Sequence, residues 1–270
     1  MTRNDIFEND RPIISDPAPK NDRGSSAINF YKATGPITVR GNRVWGNGAP
    51  TIDWGMDGSA FEVYASSRLR FRGNRLWDNY DVMETGTDGS LPCDRNRFVR
   101  NVAFTTRGAP QSQGLILRCA SRMTVANNTF SGLDGFAYDV TATGPYSGSI
   151  EGLRIQNNIA VSSRDKTMSI DSQLPDSVRI DFNLMYNPAG GLLAYVAGSG
   201  ATSDFATFKD WTGYEQHGLS APPRFKDRAK GNFRLRRGSP ALGRGTPVRG
   251  VTARGMRRPD IGRFQRSRPR

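Results

Sequence analysis

The chain has 270 residues, and several things are scarce in it. Its only cysteines are Cys93 and Cys119. Two are too few for a zinc cluster or a disulfide framework, and the sequence leaves open whether they pair. Its one histidine is His217. No zinc-ligand spacing, phosphate-binding loop or activated-nucleophile motif is present. No run approaches 18 unbroken apolar residues, so no membrane-spanning helix is expected, and no charged-apolar-small leader opens the chain. No lysine occurs between Lys32 and Lys166. The hydrophobic share of 36% is low for a thick globular core, while 30 Gly and 16 Pro imply many turns.

The net charge of +13 is unevenly placed. Residues 224–270 hold 16 of the 38 Lys and Arg against two acids, Asp227 and Asp260, which leaves 22 basic and 23 acidic groups for the rest. Such a tail can bind nucleic acid or acidic polymers. Only Phe225, Phe233 and Phe264 are interleaved with its charges, so it reads as a solvated basic surface, with no nucleic-acid partner expected.

What is abundant is repetition. Asn42–Asn47 reads NRVWGN, Asn74–Asn79 reads NRLWDN, and Asn4–Asn9 is a fainter copy. An alternating segment precedes the first Asn of each: Ile37-Thr38-Val39-Arg40-Gly41 and Leu69-Arg70-Phe71-Arg72-Gly73. Similar segments end at Asn101, Asn128, Asn158 and Asn183. The period is two, which marks strands and not helices. A second apolar run follows each Asn (Val44-Trp45, Leu76-Trp77, Ile159-Val161), and a third strand precedes. Phe61–Arg70 aligns with Leu115–Thr124 without a gap. Three short strands and no helix per unit cannot bury an apolar face alone, but stacked units can. The expectation is an all-β fold, a parallel β-helix of about six to seven coils. The recurrent Asn would take the left-handed corner of each coil and bond the Asn above it. Trp45 over Trp77 is expected to stack inside the coil.

On these repeats the chain resembles the right-handed parallel β-helix proteins, the pectate-lyase-like superfamily, over about residues 1–200. The run from Asn232 through Gly238-Ser239-Pro240 to Phe264 is similar to a closing segment of bacterial secreted β-helix proteins. Residues 201–270 are therefore read as an irregular C-terminal cap, with an amphipathic helix in 204–217 showing Phe205, Phe208 and Trp211 at i, i+3 and i+6. Asn4–Asn9 matches the corner of a coil whose first half is missing, so the chain is expected to be part of a longer protein. The resemblance implies an extracellular or cell-surface monomer that binds polysaccharide along one outer face.

The outward positions on that face are Glu62 and Tyr64, then Ile116 and Arg118. Glu84 lies between, and it is expected to face out because an unpaired buried carboxylate is costly. Asp57, Glu62 and Asp88 are the candidate metal ligands, for calcium, because clustered carboxylates repel unless a hard cation neutralises them. Asp139 and Asp171, further along, are candidate substrate-binding residues. Glu84–Asn128 more weakly resembles the polysaccharide lyases that include chondroitinase B and some alginate lyases, with Leu115-Ile116-Leu117-Arg118 matching through the Arg. That likeness implies metal-assisted β-elimination on an acidic polysaccharide, with Arg118, Glu84 and Tyr64 as the catalytic candidates. With no lysine nearby, Tyr64 is the candidate base. Two alternatives stand beside it: a glycoside hydrolase and a non-catalytic carbohydrate-binding protein.

Overall fold

The computed structural model describes residues 1–11, 24–52, 55–106, 112–162, 164–170, 173–188 and 190–265. These residues form an all-β architecture with long parallel sheets and one helix. The first sheet contains Asn29–Tyr31, Ser59–Tyr64, Asp81–Gly86, Gln113–Leu117, Tyr138–Val140, Met168–Ile170, Ala194–Val196 and Gly200–Thr202. The second runs from Thr38–Arg40 through Arg70–Arg72, Arg97–Val99, Thr124–Ala126 and Arg154–Gln156 to Arg179–Asp181. The third runs from Asp5–Phe7 through Arg43–Trp45, Arg75–Trp77, Val102–Phe104, Thr129–Leu133 and Ile159–Ser162 to Leu184–Tyr186. The chain visits the three in turn, so strands pair in parallel with their equivalents one circuit later, except that Gly200–Thr202 folds back antiparallel on Ala194–Val196. This topology is compatible with a parallel β-helix.

Alternation explains the strands. In the second sheet Val39, Phe71, Phe98, Val125, Ile155 and Ile180 stand in one register column, all buried, while Thr38, Arg70 and Arg154 beside them are exposed. Phe61, Phe71, Phe98 and Phe130 continue the core as ring contacts at 4.8, 6.4 and 6.2 Å between centroids.

The corner between the second and third sheets carries the asparagines in a single file. From Asn4 through Asn42, Asn74, Asn101, Asn128 and Asn158 to Asn183, each donates its backbone N–H and its Nδ2 to the Oδ1 of the next, at 2.8–3.2 Å. The left-handed conformation, however, belongs to the residue before each rung. Arg3, Gly41, Gly73, Arg100, Asn127, Asn157 and Phe182 have φ of 54–69°. Turning one residue early aims the amide into the stack, where the ladder bonds offset the cost of about 1–2 kcal/mol that a non-Gly residue meets there. A shorter ladder joins Asn9, Asn47 and Asn79, the closing letters of the repeat, at 2.7 and 2.6 Å.

Trp45 and Trp77 do stack, at 4.6 Å, but on the outer face. Their inward neighbours Val44 and Leu76 fill the core, and a two-residue period then forces the indoles outward. Phe7 and Phe104 extend the stack on either side.

The far end is closed by helix α1 (Phe205–Thr212), capped by Asp204, which accepts from Thr207 N at 2.7 Å. Phe208 enters the core, whereas Trp211 is exposed. Beyond it, fully buried Glu215 ends the ladder, accepting from Asn183 N at 3.0 Å and Asn183 Nδ2 at 2.6 Å. The rest of the tail runs back along the flank. Phe233 packs on Val102 and Phe104, Ile261 and Ala241 on Ile159 and Leu184, and Val248 and Val251 on Val99 and Ala126. Cys93 and Cys119 form a disulfide, with Cα atoms 5.5 Å apart. No helix among the described residues is long and apolar enough to cross a membrane.

Candidate functional site

Glu62 and Glu84 stand side by side on neighbouring strands of the first sheet, in a register column that continues through Ile116 and Asp139. Phe61 and Val63, Met83 and Thr85, and Leu115 and Leu117 face the core, and the alternation turns both glutamates outward. Asp57 comes from a hairpin of Ala49–Thr51 and Gly55–Asp57 just ahead of this sheet. Gly24 N and Gly58 N donate to its carboxylate at 3.1 and 2.7 Å. Gly58 has φ 120°, and a Cβ there would lie 2.8 Å from Ser25 O, so glycine is what lets the backbone pass this close to Ser25.

Asp81 opens the strand that carries Glu84. It is 2% exposed, and its Oδ1 has no hydrogen-bond partner. Carboxylate oxygens of Asp57, Asp81 and Glu84 all lie within 4.8 Å of one another. Arg118 Nη1 pairs with Glu84 Oε1 at 2.8 Å.

The electrostatics follow from this crowding. Burial pushes the Glu62 carboxyl up to about 8, and the nearby Glu84 and Asp57 charges add to it. Asp81 is pushed well above the usual carboxylate range by burial, then by Glu84, Asp57 and Glu62. Burial also raises Glu84, against the lowering by Arg118, with Asp57 and Asp139 adding to the rise. The raised carboxyls favour the neutral form where a cation could sit. Oxygens that each approach calcium at about 2.3–2.6 Å lie up to about 5 Å apart, so the donor set fits that ion. The unpartnered Asp81 oxygen supplies a ligand that nothing in the protein engages.

The other predicted residues divide. Tyr64 lies one outward position beyond Glu62 and stacks on Tyr31 at 5.8 Å, with the Tyr146 ring at 5.7 Å. Burial raises its phenol, which moves it away from service as a base at neutral pH. Asp88 does not join the carboxylates. It pairs with Lys32 at 3.1 Å, and hydrogen bonds from Ser90 and then Lys32 hold it down at about 2. Asp81 stands in the cluster instead, and the sequence reading missed it. The available signal was one acid opening the otherwise apolar Asp81-Val82-Met83. Asp139 lies two strands beyond Glu84 in the same column. Asp171 lies outside the described residues. His217 is at another corner, with Nδ1 2.8 Å from Asp181 Oδ2 and its ring stacked on Phe182.

Comparison with known proteins gives no likeness to add: no family model matches the chain, no curated protein matches it, and no solved structure matches it. The chemistry of the groove carries the functional reading.

Proposed function

We propose that the protein is a right-handed parallel β-helix of the pectate-lyase-like kind, secreted or at the cell surface, that cleaves an acidic polysaccharide by calcium-assisted β-elimination. The observation that carries this reading is the convergence of Asp57, Asp81 and Glu84, with an unengaged buried oxygen, beside the Arg118 guanidinium. Asp57, Asp81 and Glu84 would hold the ion. Calcium bound there would supply positive charge to neutralise a uronate carboxylate and favour the enolate-like charge of the transition state. Arg118, oriented by Glu84, binds a second carboxylate oxygen of the sugar. Glu62 takes the proton from C5 as the C4–O bond breaks and passes it to the departing glycosidic oxygen, since a carboxyl titrating at about 8 is matched to proton transfer near neutral pH. Exposed Tyr31 and Tyr146 give the sugar rings apolar faces at one side. The Cys93–Cys119 disulfide supports an oxidising compartment.

Glycoside hydrolysis is the second reading, and one observation favours it. Glu62 keeps its proton to about pH 8 while Glu84, one strand away, is paired with Arg118. Adjacent strands sit about 4.8 Å apart, near the roughly 5 Å separation of retaining carboxylates. The test incubates calcium-loaded and chelator-treated protein with polygalacturonate, alginate and chondroitin sulfate. Calcium-dependent ultraviolet absorbance from unsaturated uronate ends is expected, with a rate that rises with pH toward 8 as Glu62 ionises. New reducing ends without that absorbance, and a rate that falls over the same pH range, would replace elimination by hydrolysis. Neither product would leave a carbohydrate-binding protein.

A further inference from the structure

A second groove lies on a different side of the molecule, along the corner that carries the asparagine ladder. It is a cleft of about 510 Å³ lined by Arg3, Arg40, Arg72, Arg100, Arg234 and Arg263, with Phe264 at its side. Four of the arginines come from successive circuits. Arg40 and Arg72 are register partners on neighbouring strands, and Arg3 and Arg100 each precede a ladder asparagine. The other two come from the returning tail, which explains why charge concentrated in residues 224–270 bears on the repeat region.

No acid among the described residues lines the cleft. Among the described residues, none of the six arginines pairs with a carboxylate. Arg263 is anchored on main chain, donating to Asn74 O at 3.3 Å and Gly73 O at 3.1 Å. Arg100 donates to Val251 O, while its buried Nε has no partner. Arg3, Arg40, Arg72 and Arg234 turn exposed side chains to the groove. Like charges this close repel, and burial with Arg75 and Arg234 nearby brings Arg263 down to about 10. An arrangement that costs repulsion in the free protein gains most from an anion.

We propose that this cleft binds a linear acidic polysaccharide through its carboxylate or sulfate groups, as a holding site separate from the acidic groove. Guanidinium groups match such oxyanions bidentately. Successive circuits are about 4.8 Å apart, close to the length of one sugar unit, so rungs of arginine can meet successive charged sugars. Single-stranded nucleic acid fits less well. Its binding needs open aromatic faces for the bases, and the one aromatic here, Phe264, already has the Arg234 and Arg263 guanidinia 5.2 Å from its ring centre. The choice of an acidic glycan rests on the proposed function; the anion site itself does not.

Titration calorimetry of the full chain, with chelator present, tests the proposal against polygalacturonate, heparin, neutral dextran and a thymidine oligonucleotide. Either acidic glycan should bind in a salt-sensitive manner, the tighter one identifying carboxylate or sulfate, while dextran should not bind. The Arg40→Gln/Arg72→Gln double variant, altered at two exposed positions, should bind about a hundredfold more weakly, roughly tenfold per guanidinium. Arg154→Gln, an exposed arginine outside the cleft, should bind as the wild type does. Equal affinity of the double variant for the glycan would overturn the proposal, and so would tighter binding of the oligonucleotide than of either glycan. Because chelator empties the acidic groove of calcium, a failure here leaves the elimination reading standing. Loss of elimination activity likewise leaves this site standing.

Discussion

Asp81→Asn separates a structural carboxylate from one kept for a ligand. Asp81 is buried, faces Glu84, Asp57 and Glu62, and has an oxygen with no partner. Its raised carboxyl means that its contribution to stability is present at low pH and is lost as pH rises, because the ionised form must be held without compensation. An unsatisfied buried polar group costs about 1–3 kcal/mol. Near pH 4 both versions are neutral there, and the substitution should be close to silent. Near pH 8 and without calcium, the variant should be more stable by about 1–3 kcal/mol, which at about 2–4 °C per kcal/mol raises Tm by about 2–12 °C. Calcium at a thousandfold excess over its Kd should add about 4.1 kcal/mol to the wild type and little to the variant, so the order of stability reverses. Thermal unfolding followed by circular dichroism at the two pH values, with and without calcium, reads all four states. A variant less stable than wild type at pH 8 without calcium would show that Asp81 serves the fold. Equal calcium shifts in both would remove it from the metal site.

Two more outcomes follow from the ladder. Asn128→Ala removes the acceptor for Asn101 N and Nδ2 and the donor to Asn158 in a dry stack, and should cost on the order of 4 kcal/mol in denaturant unfolding; a loss under 1 kcal/mol would deny the stack its energetic role. Burial holds Glu215 at about 7 against an ordinary 4.5. As an acid with a raised value, it gives stability that is full below about pH 4.5 and is lost by about pH 7, at most about 3 kcal/mol at 1.36 kcal/mol per unit. The stability difference between wild type and Glu215→Gln should therefore shrink over that interval, and a pH-independent difference would contradict the assignment.

The sequence made some of this legible because certain constraints repeat with every circuit. An amide that must bond its copy above and below can only be Asn at 42, 74, 101, 128, 158 and 183, and period-two alternation set the facing of Glu62 and Arg118. What escaped has a different origin. Asp81 is buried because a hairpin from a non-repeating insertion, ending at Asp57, crowds the start of its strand. The tail's course depends on contacts such as Arg263 N to Thr129 Oγ1, 134 residues apart, which no local pattern encodes. Its trace was present in retrospect: Val102-Ala103-Phe104 is apolar at every position, as a strand covered on both faces must be. Trp45 and Trp77 misled because large aromatics suggest a core, whereas the pleat gave the interior to Val44 and Leu76.

The asparagine file has a polarity. Every rung gives two hydrogens toward the C-terminal end and receives two from the other side, so an open stack of this kind could accept further copies indefinitely. A glutamate interrupts that logic, because both of its carboxyl oxygens accept from the same asparagine. At Glu215 the relay meets a group that takes both hydrogens and passes none on. The final surface therefore lacks the donors that another molecule's file would need to dock in register, and a stack whose chemistry favours endless growth ends as a finite object.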